Sequence, residues 1–184
     1  MPGFTQRMQM IMHSPVSAVH VAAALTAMVS GTRVIFSTKG TRSHRLIGRI
    51  YVLSMIVLLL TAFQIYYLFG RFCIIHWGAV GSIVALLIGL VPMAFRSVLS
   101  TWLRWHYVGM GASVTGLYAA FVVESTYRFF PPEWFWYVTI GCANSVFVVG
   151  AVVLYRHWPF PPLARPRPTS ARAFLANYRP QQLH

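Results

Sequence analysis

Negative charge is what this chain has least of. Its 184 residues include two acidic side chains, Glu124 and Glu133, and no aspartate, against 15 lysines and arginines, for a net charge of +13. Hard cations take their ligands mainly from carboxylates, so the composition speaks against a carboxylate-built metal site. The two cysteines are too few for a disulfide framework. Cys73 is expected at the start of one helix and Cys142 about two turns into another, a mismatch of depth that predicts two free thiols. Charged residues of either sign make up 9% of the chain against 57% hydrophobic, and the mean hydropathy is +0.61. That is too little polar surface to coat a soluble globule. The patterns GxxxxGK[ST], HExxH and GxSxG are also missing, which removes the sequence grounds for a phosphate-binding loop, a zinc protease or a hydrolase nucleophile elbow.

What the chain does contain is long apolar runs. They cover residues 16–36, 50–70, 72–95, 106–130 and 134–155. Each is long enough to cross a hydrocarbon core of about 30 Å. The first follows Arg7 and has some features of a secretory signal, but it continues through Val34, Ile35 and Phe36 without a small-x-small cleavage site. The fold expected is therefore all-α, an integral membrane bundle of five transmembrane helices over residues 14–155. A tail at 1–13 precedes it, and a proline- and arginine-rich tail at 156–184 follows, disordered or lying on the membrane, with 170–178 as a short interfacial helix. Lys39 and Gly40 are expected to form a tight turn, with Thr41 or Ser43 capping the second helix. Gly70 and Arg71 join the second and third spans, and Pro131 and Pro132 stop the fourth.

The basic residues alternate in a way that sets topology. Arg33, Lys39, Arg42, Arg45, Arg49, Arg96, Arg104, Arg156, Arg165, Arg167, Arg172 and Arg179 fall on one side of the five spans, and Arg7, Arg71 and Arg128 on the other. The richer side is expected to be cytoplasmic, which puts the N-terminus outside and the C-terminus inside a bacterial inner membrane. Trp77, Trp134 and Trp136 then mark the outer interface and Trp102, Trp105 and Trp158 the inner one. A charge of this size in loops and tail answers to anionic lipid rather than to nucleic acid. Anchoring at the headgroups is the simplest role for Arg42, Arg45 and Arg49.

Four histidines carry the one hint of chemistry. His20, His44, His76 and His106 fall one on each of the first four spans, within about two turns of each helix N-terminus. Helix direction alternates, so His20 and His76 belong to the outer leaflet and His44 and His106 to the inner one, with the two levels on the order of 20 Å apart. This spacing suits one or two haem b groups, each clamped by histidines from two different helices. The positive end of a helix disfavours imidazolium, which leaves a ring nitrogen lone pair available to a metal. Gly48 and Gly109 share the faces of His44 and His106, with Gly78 and Gly81 after His76. They either leave room for a flat macrocycle or bring helices close together. Glu124, the lone acid within a span, shares the face of His106 toward the outer leaflet. It is a proton-transfer candidate or a structural partner for Arg128 at i+4.

The runs SAVHVAAALTAMVSGTRVIFSTKGTRSHRLIGRIYVLSMI, IIHWGAV and RWHYVGMGASVTGLYAA resemble a bacterial family of small multi-span proteins catalogued as a domain of unknown function. That resemblance covers most of residues 14–130 and implies a fold but no activity. The order of the histidine-bearing helices is in addition similar to that of dihaem transmembrane cytochromes b. On that likeness His20 and His76 ligate an outer haem, and His44 and His106 an inner one, although His44 lies nearer the loop than in those cytochromes. The function this implies is transmembrane electron transfer by a membrane oxidoreductase, fed by a quinol or small reductant, with Arg42, Arg45 and Arg49 pairing with haem propionates or an anionic donor. Two readings from other classes stay open: an accessory or assembly subunit of a larger respiratory membrane complex, and a small metal or proton transporter.

Overall fold

The computed structural model describes residues 15–69, 74–129 and 132–158. These form five helices: α1 (Pro15–Phe36), α2 (Arg42–Phe69), α3 (Ile74–Ala94), α4 (Trp102–Phe129) and α5 (Pro132–Arg156). All five are long and apolar enough to cross a membrane. The tails, the Gly70 and Arg71 turn, Cys73, Pro131 and the expected interfacial helix at 170–178 lie outside the described residues. Cys142 is a free thiol.

Local chemistry sets the helix ends. Lys39 Nζ donates to the carbonyl oxygens of Val34, at 3.0 Å, and Ile35, capping the last turn of α1. Partial desolvation at the helix end holds the Lys39 ammonium below the usual lysine range. Gly40 then turns the chain at φ 78°, where a side chain would be strained. Thr41 Oγ1 accepts the backbone N–H of His44 at 3.1 Å, so Thr41 rather than Ser43 is the cap and α2 begins at Arg42. The helix thus starts eight residues before the apolar run does, because capping and not hydropathy nucleates it. α4 likewise begins at Trp102, ahead of its apolar stretch. Pro132 occupies the first position of α5, where a missing N–H costs nothing.

The helices pack as two hairpins, α1 with α2 and α3 with α4. Lighter contacts between α1 and α4 and between α2 and α3 close these into a four-helix ring. α1 faces α3, and α2 faces α4, across the diagonals. α5 packs on the outside of α4. Ala27, Tyr51, Met55, Leu86, Met110, Val114 and Leu117 fill the interior. Small residues bring backbones together: a Cβ on Gly109 would strike the Gly89 backbone, and one on Gly31 would fall 2.9 Å from the Tyr51 ring. Large apolar side chains such as Leu53, Leu60, Val148 and Val149 remain more than half exposed. On a soluble protein such a surface would aggregate, whereas it suits helices long and apolar enough to cross a membrane.

Candidate functional site: two histidine levels

His44 and His106 stand on the inward stripes of α2 and α4. On α2 the stripe runs His44, Gly48, Tyr51, Met55, Leu58, and on α4 it runs His106, Met110, Ser113, Leu117, both with the i+4, i+3 spacing of one helix face. Tyr51 and Ser113 are fully buried and their hydroxyls are 2.8 Å apart. Because α2 and α4 run parallel, that contact fixes their register. His44 and His106 each lie seven residues earlier, on the same faces and at a common level, within electrostatic reach of each other.

His20 and His76 define the second level. His20 contacts Thr61 and the His76 ring packs on the Phe63 ring with centroids 6.5 Å apart. Thr61 and Phe63 are two residues apart on α2, about 3 Å along its axis and about 200° around it, so the two histidines meet α2 at one height from different sides. From His44 to Thr61 is seventeen residues of α2, which separates the two levels by roughly 25 Å. His76 is 4% exposed, the most buried of the four.

Three of these rings engage Nδ1 with a polar partner, and for His106 that partner requires Nδ1 to carry the proton. His20 Nδ1 lies 2.9 Å from Thr61 Oγ1, which also lies 2.8 and 2.9 Å from the carbonyl oxygens of Val57 and Leu58. When the hydroxyl donates to either carbonyl, it accepts from His20 Nδ1. His44 Nδ1 lies 3.1 Å from Ser37 Oγ, which has the Val34 carbonyl at 3.0 Å in the same arrangement. His106 Nδ1 faces the Gly89 carbonyl at 2.8 Å, an oxygen that can only accept. In a neutral ring protonated at Nδ1 the lone pair falls on Nε2. This is the outer-partner arrangement that fixes metal-binding imidazoles, the distal nitrogen coordinating while the near N–H is held.

The surroundings distinguish the other expected residues. A Cβ on Gly48, Gly78 or Gly81 would meet nothing within 4 Å; Gly48 is half-buried, whereas Gly78 and Gly81 lie on the exposed surface of α3, where the open space is outside the bundle. Of the two roles open to Gly109, close helix packing is the one found, because the Gly89 backbone occupies the space a macrocycle would need. Arg45 Nη1 donates to the Gly40 carbonyl at 2.9 Å and so clamps the turn, while Arg42 and Arg49 are exposed beside it. Glu124 is half-buried and takes part in an interaction, and the Arg128 side chain lies outside the described residues. The described lysine and arginine side chains, from Arg33 to Arg156, all stand at the His44 end of the bundle.

Among the described residues no three His, Cys, Asp or Glu side chains converge, so there is no cage of the structural-zinc type. An axial pair on a haem iron needs only two imidazoles with oriented Nε2 atoms, and the donor chemistry of the histidines fits that group. The outer partners Ser37, Thr61 and Gly89 were not predicted from the sequence. Only Thr61, a hydroxyl inside an apolar run, left a signal there. No family model, curated protein or solved structure matches the chain.

Proposed function

We propose that this protein is a transmembrane electron carrier that binds haem b between diagonal histidine pairs, His44 with His106 and His20 with His76. The observation that carries the reading is the shared engagement of Nδ1. Three histidines on three helices each engage Nδ1 with a neighbouring polar group, a hydroxyl for His20 and His44 and a carbonyl for His106, which leaves Nε2 to present to a ligand. Haem held there supplies reversible one-electron exchange at its iron.

The chain contributes orientation, exclusion of water and charge. Thr61, Ser37 and the Gly89 carbonyl fix the imidazole planes and raise ligand basicity. Tyr51, Met55, Met110 and Leu117 keep the space between the levels dry. Arg42 and Arg49 offer guanidinium groups to haem propionates or to an anionic donor at the basic end. By the distribution of charge that end faces the cytoplasm of a bacterial inner membrane, which leaves the N-terminus outside and brings a quinol or small reductant to the His44 level.

Optical spectroscopy of protein purified from haem-replete cells tests the reading. The expected result is a red protein with a Soret band that shifts on dithionite reduction and the low-spin spectrum of bis-imidazole ligation. Colourless protein travelling with a larger oxidase or reductase would instead support an accessory subunit.

A further inference from the structure

A cleft separates α1 from α5 on the lipid-facing side of α4. Its volume is about 400 Å³, and its walls include Ile35, Val114, Tyr118, Val146 and Val153. The rings of Phe36 and His157 meet edge to face at 5.5 Å and close its basic end.

Every hydroxyl on the walls is already engaged. Thr32 Oγ1 donates to the Met28 carbonyl at 2.8 Å and accepts from Tyr118 at 2.6 Å. Thr115 Oγ1 donates to the Gly111 carbonyl at 2.9 Å, and Ser145 Oγ to that of Gly141 at 2.8 Å. A quinone headgroup needs donors for its carbonyl oxygens and finds none here, whereas a hydrocarbon chain needs no such partner. Depth agrees with a chain. Ser145 to Leu154 spans about 14 Å of α5, close to one leaflet of a roughly 30 Å hydrocarbon core. Charge at the end of the cleft sets the headgroup: exposed Arg33 lies one turn before Phe36, and exposed Arg156 directly precedes His157. Arginine side chains in these positions lay their stems along apolar surface and place the guanidinium at phosphate level.

The geometry points to a bound anionic phospholipid, one acyl chain in the α1/α4/α5 cleft and its phosphate at Arg33 and Arg156. This site is independent of the haem reading, since no histidine of either level lines it. Among the described residues α5 packs along α4 and meets α1 at the Phe36 and His157 rings, so a lipid in the cleft adds to the tie between α5 and α1.

The test is mass spectrometry of the intact protein released from mild detergent after exchange into vesicles of mixed phosphatidylglycerol and phosphatidylcholine. Wild type is expected to retain one lipid, enriched in phosphatidylglycerol by about tenfold over the bulk ratio. Val146→Trp should lose the adduct by filling the cleft. The double variant Arg33→Gln/Arg156→Gln changes only exposed positions and should keep a lipid while losing the headgroup preference. Retention without preference in wild type, or an unchanged phosphatidylglycerol adduct in both variants, would overturn the assignment. So would a wild-type dimer mass that Val146→Trp abolishes, since a second copy would then occupy the cleft.

Discussion

The hydroxyls of Tyr51 and Ser113 lie 2.8 Å apart at the centre of the ring, and each residue stands seven positions after a histidine. α2 and α4 are connected through α3 and make no close backbone approach across the diagonal, so one long side chain sets their relative height. The level shared by His44 and His106 therefore depends on a contact two turns away from it.

Removing that contact gives the first prediction. Tyr51→Phe keeps the ring and its packing but leaves Ser113 Oγ without its cross-helix partner, and should destabilise the protein by about 0.5–2 kcal/mol in detergent unfolding. Ser113→Ala should cost a similar amount. The double variant should be little worse than either, because both changes remove one bond. Additive losses would show that the two hydroxyls do not act as a pair.

The second prediction separates the two levels by their outer partners. Thr61→Val removes the hydrogen-bond partner of His20 Nδ1 with little change of shape, and Ser37→Ala does the same for His44. Each should weaken haem retention by roughly 10- to 100-fold at its own level only. Thr61→Ser, which keeps the hydroxyl, should behave as wild type. Equal effects of Thr61→Val and Thr61→Ser would mean that the hydrogen bond is irrelevant.

Two glycines should respond in opposite ways. Gly109→Ala forces its Cβ into the Gly89 backbone and should lower stability by about 1–3 kcal/mol, with or without haem. Gly48→Leu points into open space and should leave the thermal stability of the haem-free protein unchanged while reducing haem content at the His44 level. Loss of fold in Gly48→Leu would show that this space is not available.

The five spans were legible because hydropathy over about twenty residues has few alternative explanations in a chain with so little charge. The Lys39 and Gly40 turn and the Thr41 cap were legible because those residue types have local roles at fixed offsets. What could not be read was anything across helices. Gly109 lies three residues after His106, but nothing in the sequence gives Gly89 as its neighbour, and so space and close packing both stayed open where two backbones in fact touch. Thr61 and Gly89 as partners of His20 and His106 depend on helix rotation, which periodicity in uniformly apolar helices leaves nearly undetermined. The early start of α2 was hidden for a related reason, since its first two turns carry arginine and lie outside the apolar run.

Orientation yields the fourth prediction. A reporter active only in the cytoplasm should work when fused after Arg167 and fail when inserted between Arg128 and Trp134. The reverse pattern would exchange the inner and outer histidine levels while leaving the pairing intact.

Haem content of four single histidine variants, measured by pyridine haemochrome against protein concentration, bears on the pairing itself. If the diagonals bind haem, His20→Ala and His76→Ala should lose the same half of the haem, and His44→Ala and His106→Ala the other half. The double variant His20→Ala/His76→Ala should be little worse than either single change, because two ligands of one iron act as a unit. Four equal and independent losses, or haem content unaffected by any of the four, would contradict paired ligation.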